Sequence, residues 1–395
     1  MRKRILLLSF FYPPDLSAGS FRAEALVDAL CERAAGEVDI DVLTTQPNRY
    51  HSHASEALAV DVQGCARIRR VQLPVHKSGF VDQAKAFATF ALQANRVASE
   101  GHYDVVVATS SRLMTAVLGG WIARRQRARL YLDIRDIFVE NLGELFPSAI
   151  GRSLALFFGV LERWSIRRAD KVNLVAAGFL GYFQPKYPQQ HFSLHSNGVD
   201  DDFANIPLTS STDRFCRPLR ILYAGNIGDG QGLHLIVPAL AQRLGPRVHF
   251  CIVGAGGRLQ ALRDAVAESG VGTVDLVAPV ARDRLLAIYQ QADVLFLHLN
   301  DFKAFRRVLP SKLFEYAATG KPILAGVAGY ASDFVKAEIT NASVFAPCDI
   351  EGAVDALAQL SLEQVPRPVF VERFARKRIM HSMADDVLEL VREAI

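Results

Sequence analysis

The chain lacks the signatures that most often name a chemistry. No glycine loop is followed by Gly-Lys-Ser/Thr, which excludes a Walker A phosphate site, and no GxGxxG follows the first apolar run, which excludes a dinucleotide site there. There is no GxSxG turn to raise a nucleophilic serine. The histidines are scattered and Asp200-Asp201-Asp202 has no His or Glu companions, so no metal site is expected. Cysteine is scarce. Cys31, Cys65, Cys216, Cys251 and Cys348 lie far apart, odd in number and without a CxxC, which reads as reduced thiols in a cytosolic protein. No apolar run reaches the roughly 20 residues that cross a bilayer, so any membrane contact is expected to be peripheral. The N-terminal apolar run is short, stops at Pro13-Pro14 and lacks a small-residue cleavage site, so a buried parallel strand explains it better than a signal peptide. The net charge of +4 is too mild for nucleic acid, but it suits an anionic small ligand or an anionic membrane surface.

What the chain has is alternation. At 395 residues it exceeds what one core serves, and half of its residues are hydrophobic. Strands are expected over 4–11, 38–44, 67–73, 104–109, 129–134, 171–175 and 191–194, with helices over 20–34, 81–99, 113–125, 151–168 and 177–183 between them. A polar, turn-rich stretch over 207–213 is the best linker. The alternation then restarts with strands over 220–224, 248–253, 273–277, 294–297 and 322–325 and a last one near Val344. Its helices fall over 233–243, 258–269, 283–291 and near 351–360 and 370–391. Continuous apolar strands separated by helices mean a parallel, doubly wound α/β sheet. Two such Rossmann-like domains are expected, 1–205 joined by a closing helix over 370–395, and 217–369, with ligands in a cleft outside the strands' carboxyl ends.

Two stretches carry the chemistry. Residues 308–324 read as loop, short helix, stop and buried strand. Pro310 and Ser311 precede the helix, with Ser311 expected to cap its first amides, and Gly320 and Pro322 end it. Leu313, Phe314, Ala317 and Ala318 are expected on the core side, and Lys312, Glu315, Tyr316 and Thr319 on the opposite face. A lysine at a helix start with a carboxylate one turn deeper suits a nucleoside diphosphate: Lys312 and the amides hold phosphates, and Glu315 accepts from ribose hydroxyls. A solvated surface pair is the plain alternative. The second stretch, 222–233, runs from a strand through Gly225, Gly228, Gly230 and Gly232 into a helix, as an anion nest would. Weaker candidates are the loop after the first strand, where Gly19 and Ser20 open a helix, the segment Asp133-Ile-Arg-Asp136 at a strand's end, and the Ala278-Pro-Val280 loop. The apolar, Arg-punctuated run over 150–168 is either a packed helix, the favoured reading, or a helix lying on a membrane.

On these residues the chain resembles the GT-B fold retaining glycosyltransferases of family 4, of the bacterial O-antigen and capsule type that use UDP-sugars. The resemblance rests on Phe11-Tyr-Pro-Pro-Asp15 with Gly19, Asp133-Ile-Arg-Asp136, Ser196-Asn-Gly-Val-Asp200, Tyr223-Ala-Gly-Asn-Ile-Gly228, Pro310-Ser-Lys-Leu-Phe-Glu-Tyr316 and Gly320-Lys-Pro322. It implies that Glu315 meets the donor ribose, that amides around Ser311, Leu313 and Phe314 meet the diphosphate, that Val280 holds the base, and that Gly19 and Ser20 approach the donor phosphate. Gly225, Asn226 and Gly228 would line the donor, with Asp136, Lys312 and Arg307 as catalytic candidates. No metal is needed, and the implied acceptor is a polyprenyl-diphosphate-linked glycan at the inner face of the membrane. Two departures stand out. Arg307 occupies the place of the first Glu of the family's acidic pair, and Asn226 and Gln231 stand near where its glycine loop carries Arg and Lys. Lys303, Arg306, Arg307 and Lys312 are expected to supply the missing charge. A UDP-sugar 2-epimerase, or a nucleotide-sugar-binding protein without catalysis, are the alternatives.

Overall fold

The computed structural model describes the chain except residues 1, 16, 48–56, 75–79, 111, 146–148, 205, 207–216 and 395. The expected linker over 207–213 lies outside the described residues. The chain divides into two units, Met1–Asn197 with Arg376–Ile395, and Gly198–Ala375.

The first unit is built on strands β1 (Lys3–Leu8), β2 (Val38–Thr45), β3 (Val60–Gln63), β4 (Ala66–Val71), β5 (Val105–Ser110), β6 (Arg129–Ile134), β7 (Lys171–Leu174) and β8 (Phe192–Ser193). They are ordered β3-β4-β2-β1-β5-β6-β7-β8. Ile5 to Leu8 are wholly buried, as a central strand covered on both faces requires. Among the described residues all pairings are parallel except β3 with β4, an antiparallel hairpin that the sequence pattern did not suggest. Its Val60 and Val62 are exposed, so no apolar periodicity marks it. The helix Ala18–Ala34 shares a core with Ile5, Val42, Val107 and the C-terminal helix Arg376–Glu393. The stretch over 370–391 therefore forms two helices, Pro368–Arg373 and Arg376–Glu393, and only the second belongs to this unit.

The expectation of reduced cysteines fails at one pair. Cys31, on the helix Ala18–Ala34, and Cys65, in the turn between β3 and β4, are joined in a disulfide. The hairpin is what brings them together, with Gly64 at positive φ packing on Cys31. Cys251 and Cys348 are free thiols.

The second unit carries β9 (Leu219–Asn226), β10 (Val248–Ala255), β11 (Val274–Val277), β12 (Val294–His298), β13 (Ile323–Gly326) and β14 (Ala342–Phe345), all parallel in the order β11-β10-β9-β12-β13-β14. The core joins Tyr223, Phe250, Phe296 and Leu324 to helix residues such as Ile236 and Leu240. The strand order reverses direction between β9 and β12. In open parallel sheets such a switch point opens a crevice at the carboxyl ends of the two strands. Here those ends are Gly225–Asn226 and His298.

Candidate active site

At the end of β9 the backbone of Gly225 (φ 149°) runs beside Gly254 of β10, so closely that a Cβ on Gly254 would fall on the Gly225 carbonyl. The Lys312 side chain lies across Gly225, where a Cβ would overlap its Cε and Nζ. Its ammonium stands 5.8 Å from the Tyr223 ring centroid. The lysine that opens one motif is thus folded onto the glycine turn of the other.

The glycine loop is not the open anion nest expected. Of its four glycines only Gly225 and Gly232 take positive φ. The Gly228 amide already donates to Gln231 Oε1 (3.1 Å), which also accepts from Asn226 Nδ2 (2.8 Å). The loop closes on its own side chain. Beneath it, His298 is fully buried, donates from Nδ1 to the Gln231 carbonyl (2.7 Å) and accepts at Nε2 from the Cys348 amide (2.9 Å). Those partners fix a neutral ring, and burial pushes its pKa down to about 4 against the pull of the Gln231 carbonyl. Phe305 packs on Gly230, and Asn300 on Gly232. Sequence reasoning missed His298 and Asn300. The signal was their place directly after the apolar run 294–297, at a strand's carboxyl end.

The helix Lys312–Ala318 departs from its expected amphipathic plan. Tyr316 and Thr319 are buried along with Leu313 and Phe314, leaving Lys312 and Glu315 half-buried. Tyr316 has a polar tip to satisfy, and its hydroxyl takes the Ala224 amide of β9 (3.3 Å). Ser311 makes no side-chain cap. The Leu313 amide donates to the Pro310 carbonyl and the Phe314 amide to the Ser311 carbonyl, each at 3.1 Å. The amides assigned to the diphosphate thus hold the first turn, and the Phe314 ring sits among Phe334, Phe370 and Phe374. Gly320 (φ 72°) ends the helix as expected.

Glu315 accepts from Tyr289 (3.3 Å) and faces Arg282, which the sequence did not single out. Arg282 pairs with Asp200 (2.9 Å) and Asp202 (2.8 Å), two residues beyond the half-buried Val280. That pairing accounts for the acidic run, and among the described residues no three His, Cys, Asp or Glu side chains cluster as a metal site would need. Arg307 is half-exposed on the short 3-10 turn Lys303–Arg307, while Arg306 is held by Asp301 (3.0 Å) on the surface.

In the first unit the order reverses between β1 and β5. The helix Ala18–Ala34 is capped by Ser17, whose Oγ takes the Ser20 amide (3.2 Å), so that amide is engaged. Gly19 lies under the Arg135 guanidinium, where a Cβ would collide. Ser20 is fully buried, and its Oγ finds no partner among the described residues. Asp133 is not a free carboxylate at the strand's end. It is wholly buried and accepts from Nε and Nη2 of Arg22, each at 2.9 Å, and from Asn173 at 2.7 Å. Burial alone would raise its pKa, but Arg22 holds the carboxyl below its ordinary value. Asp136 takes the Ile137 amide (2.8 Å) and lines a small cavity with Ser110, Phe138 and Glu162. Glu162, raised by burial, is bridged by Tyr182 and Tyr187, each at 3.2 Å.

Two α/β units in one chain, each a mainly parallel sheet with one reversal of order, define the GT-B architecture. Residues 212–378 match the sequence model for glycosyl transferases group 1, and residues 20–191 that for a glycosyl transferase 4-like domain. Residues 212–378 are thus a glycosyl transferases group 1 region and residues 20–191 a glycosyl transferase 4-like region. The Escherichia coli protein WcaI, named as a colanic acid biosynthesis glycosyl transferase, is 25% identical over 213 residues, 50% of this chain and 51% of that one. The chain thus spans about half the length of the curated relative it matches. Among solved structures, Anabaena HepE in complex with UDP-glucose superimposes with a TM-score of 0.66 at 16% identity, covering 98% of this chain and 99% of that one. WaaG, a glycosyltransferase involved in lipopolysaccharide biosynthesis, does so at 0.64 and 16%, covering 99% and 98%.

Proposed function

We propose that the protein is a retaining glycosyltransferase that moves an N-acetylhexosamine or 6-deoxy amino sugar from UDP to a polyprenyl-diphosphate-linked glycan. It would work in the cytoplasm, peripherally at the inner face of the membrane, in cell-surface polysaccharide synthesis. The observation that carries the reading is Lys312 laid against Gly225 at the switch point, with Glu315 one turn deeper. That pairs a fixed cation for a leaving diphosphate with a carboxylate for ribose hydroxyls. A UDP-glucose complex of HepE and the names of WcaI and WaaG support the donor and pathway class.

In the proposed step, the bond from the anomeric carbon to the UDP oxygen breaks as the acceptor hydroxyl attacks the same face. The hydroxyl proton passes to the departing phosphate. Lys312, with Arg307, stabilises the charge that builds on UDP, and Asp136 orients hydroxyls. Val280 borders the base, and no protein nucleophile takes part. The epimerase alternative loses ground, because Asp133, one of its two carboxylates, is spent on Arg22.

A thermal-shift panel of UDP, GDP, ADP, TDP and CMP tests the donor. A ligand at 100 times its Kd stabilises by about 2.7 kcal/mol. A UDP-only shift, followed by acceptor-dependent loss of UDP-sugar, is the expected result. A GDP preference overturns the donor, turnover without acceptor points to the epimerase, and no shift with any nucleotide ends the reading.

A further inference from the structure

The helix Ala149–Arg168 has one face that no described residue of its unit covers. Its inner side is well seated: Glu162, Ser165 and Ile166 are buried, Phe158 packs on Phe138, and Trp164 lies against Gly120. Its outer side exposes Leu156 (74%), Phe157 (59%) and Val160 (67%). On a helical projection these three share a stripe with Arg152 before them and Arg163 and Arg167 after them, all exposed. None of the three arginines pairs with a carboxylate among the described residues. The helix's single acid, Glu162, points inward. The helix Leu113–Gln126, which it touches through Gly120, exposes Trp121 (53%), Arg124 and Arg125.

A solvated helix face mixes both charge signs and leaves its large apolar residues single. This one does neither. We propose that the face of Ala149–Arg168 is a lipid-docking surface, in which Leu156, Phe157 and Val160 enter the headgroup boundary of an anionic bilayer while Arg152, Arg163 and Arg167 reach its phosphates. Apolar centre and basic ends are the two terms of interfacial helix binding, burial of apolar area and attraction to anionic lipid. Long arginine stems let the charged ends remain at the phosphate level as the apolar centre sinks. A protein partner of acidic character would meet the arginines but leave the apolar centre in need of a matching patch; a bilayer satisfies both. The surface gives the proposed lipid-linked acceptor a physical setting. It is tested without sugar or nucleotide, so the two ideas fail separately.

The test is co-sedimentation of the full chain with vesicles of phosphatidylcholine, with and without phosphatidylglycerol, over a range of salt. Binding should require phosphatidylglycerol and weaken with salt. The double variant Leu156→Glu with Phe157→Glu should bind at least tenfold more weakly. The triple variant Arg152→Gln, Arg163→Gln and Arg167→Gln should lose the salt dependence. All substituted positions are exposed, so melting temperatures and nucleotide shifts should match those of the unaltered protein. Absence of vesicle binding, or equal binding by both variants, overturns the proposal. So does a solution dimer that the glutamates dissociate, which would make this face an interface between copies.

Discussion

The ammonium of Lys312 and the side-chain carbonyl of Gln231 meet the same loop, one at Gly225 and the other at Gly228. A charge-assisted bond to a diphosphate is worth roughly 1.5–3 kcal/mol, so Lys312→Met should weaken UDP binding by about 10- to 100-fold in calorimetry, with the melting temperature of the unliganded protein retained. Unchanged affinity would remove the lysine from the site. Gln231→Glu keeps an acceptor for the Gly228 amide but sets a negative charge beside the proposed diphosphate. UDP affinity should fall at least about tenfold, and the fall should shrink with added salt. At this scale the sequence was legible where residue type alone decides, as for Lys312 and Glu315, which emerge as the half-buried polar pair of their helix. It misled where polar groups find partners within the fold. Tyr316 reads as surface until the Ala224 amide is there to meet it, and Asp133 reads as available until Arg22 arrives from a distant helix.

The central parallel strands, such as Ile5–Leu8, Val105–Ala108 and Val294–Leu297, were legible as continuous apolar runs, and strand starts and stops moved by a few residues only. The helices Phe138–Leu145 and Tyr330–Glu338 were not foreseen, being short amphipathic pieces between stronger signals. The end of Lys312–Ala318 shows how an element is held. Gly320 has φ 72°, and a Cβ there would sit 2.8 Å from the Val365 carbonyl. Gly320→Ala should therefore destabilise by more than the about 1 kcal/mol of strain alone. Arg367 is buried and donates to the carbonyls of Ala317 (3.0 Å), Lys321 (3.0 Å) and Thr340 (2.6 Å), with its pKa lowered to about 10 by burial. Arg367→Met strands those acceptors, each costing about 1–3 kcal/mol, so urea unfolding should show a loss of about 3 kcal/mol. A loss under about 1 kcal/mol would mean that water replaces the guanidinium.

Across the whole molecule, acid should act on the two units at different pH. Burial lowers His298 to about 4 from 6.5, so its folded form resists protonation. The stability tied to its neutral ring is complete above pH 6.5 and is lost as pH falls toward 4. In the first unit, burial would raise Asp386, but His195 and Lys171, each at 2.8 Å, pull it from 3.8 down to about 2. That contribution is complete above pH 3.8 and fades toward pH 2. Unfolding midpoints measured against pH should therefore flatten between 6.5 and 4 in His298→Gln, and below 3.8 in Asp386→Asn. Coincident profiles for both variants and the unaltered protein would refute the assignment.

The first unit is closed by a helix that follows the second unit in the chain. Met380, Met383, Val387 and Leu388 complete the core around Ile5, Val42 and Leu26, yet the whole of Gly198–Ala375 lies between them and the sheet they cover. On the ribosome, then, the second unit emerges entire while the first still waits with an open flank. Synthesis order and folding order run opposite to each other here, and a chain released before Arg376 would present that unfilled flank to any chaperone or protease nearby.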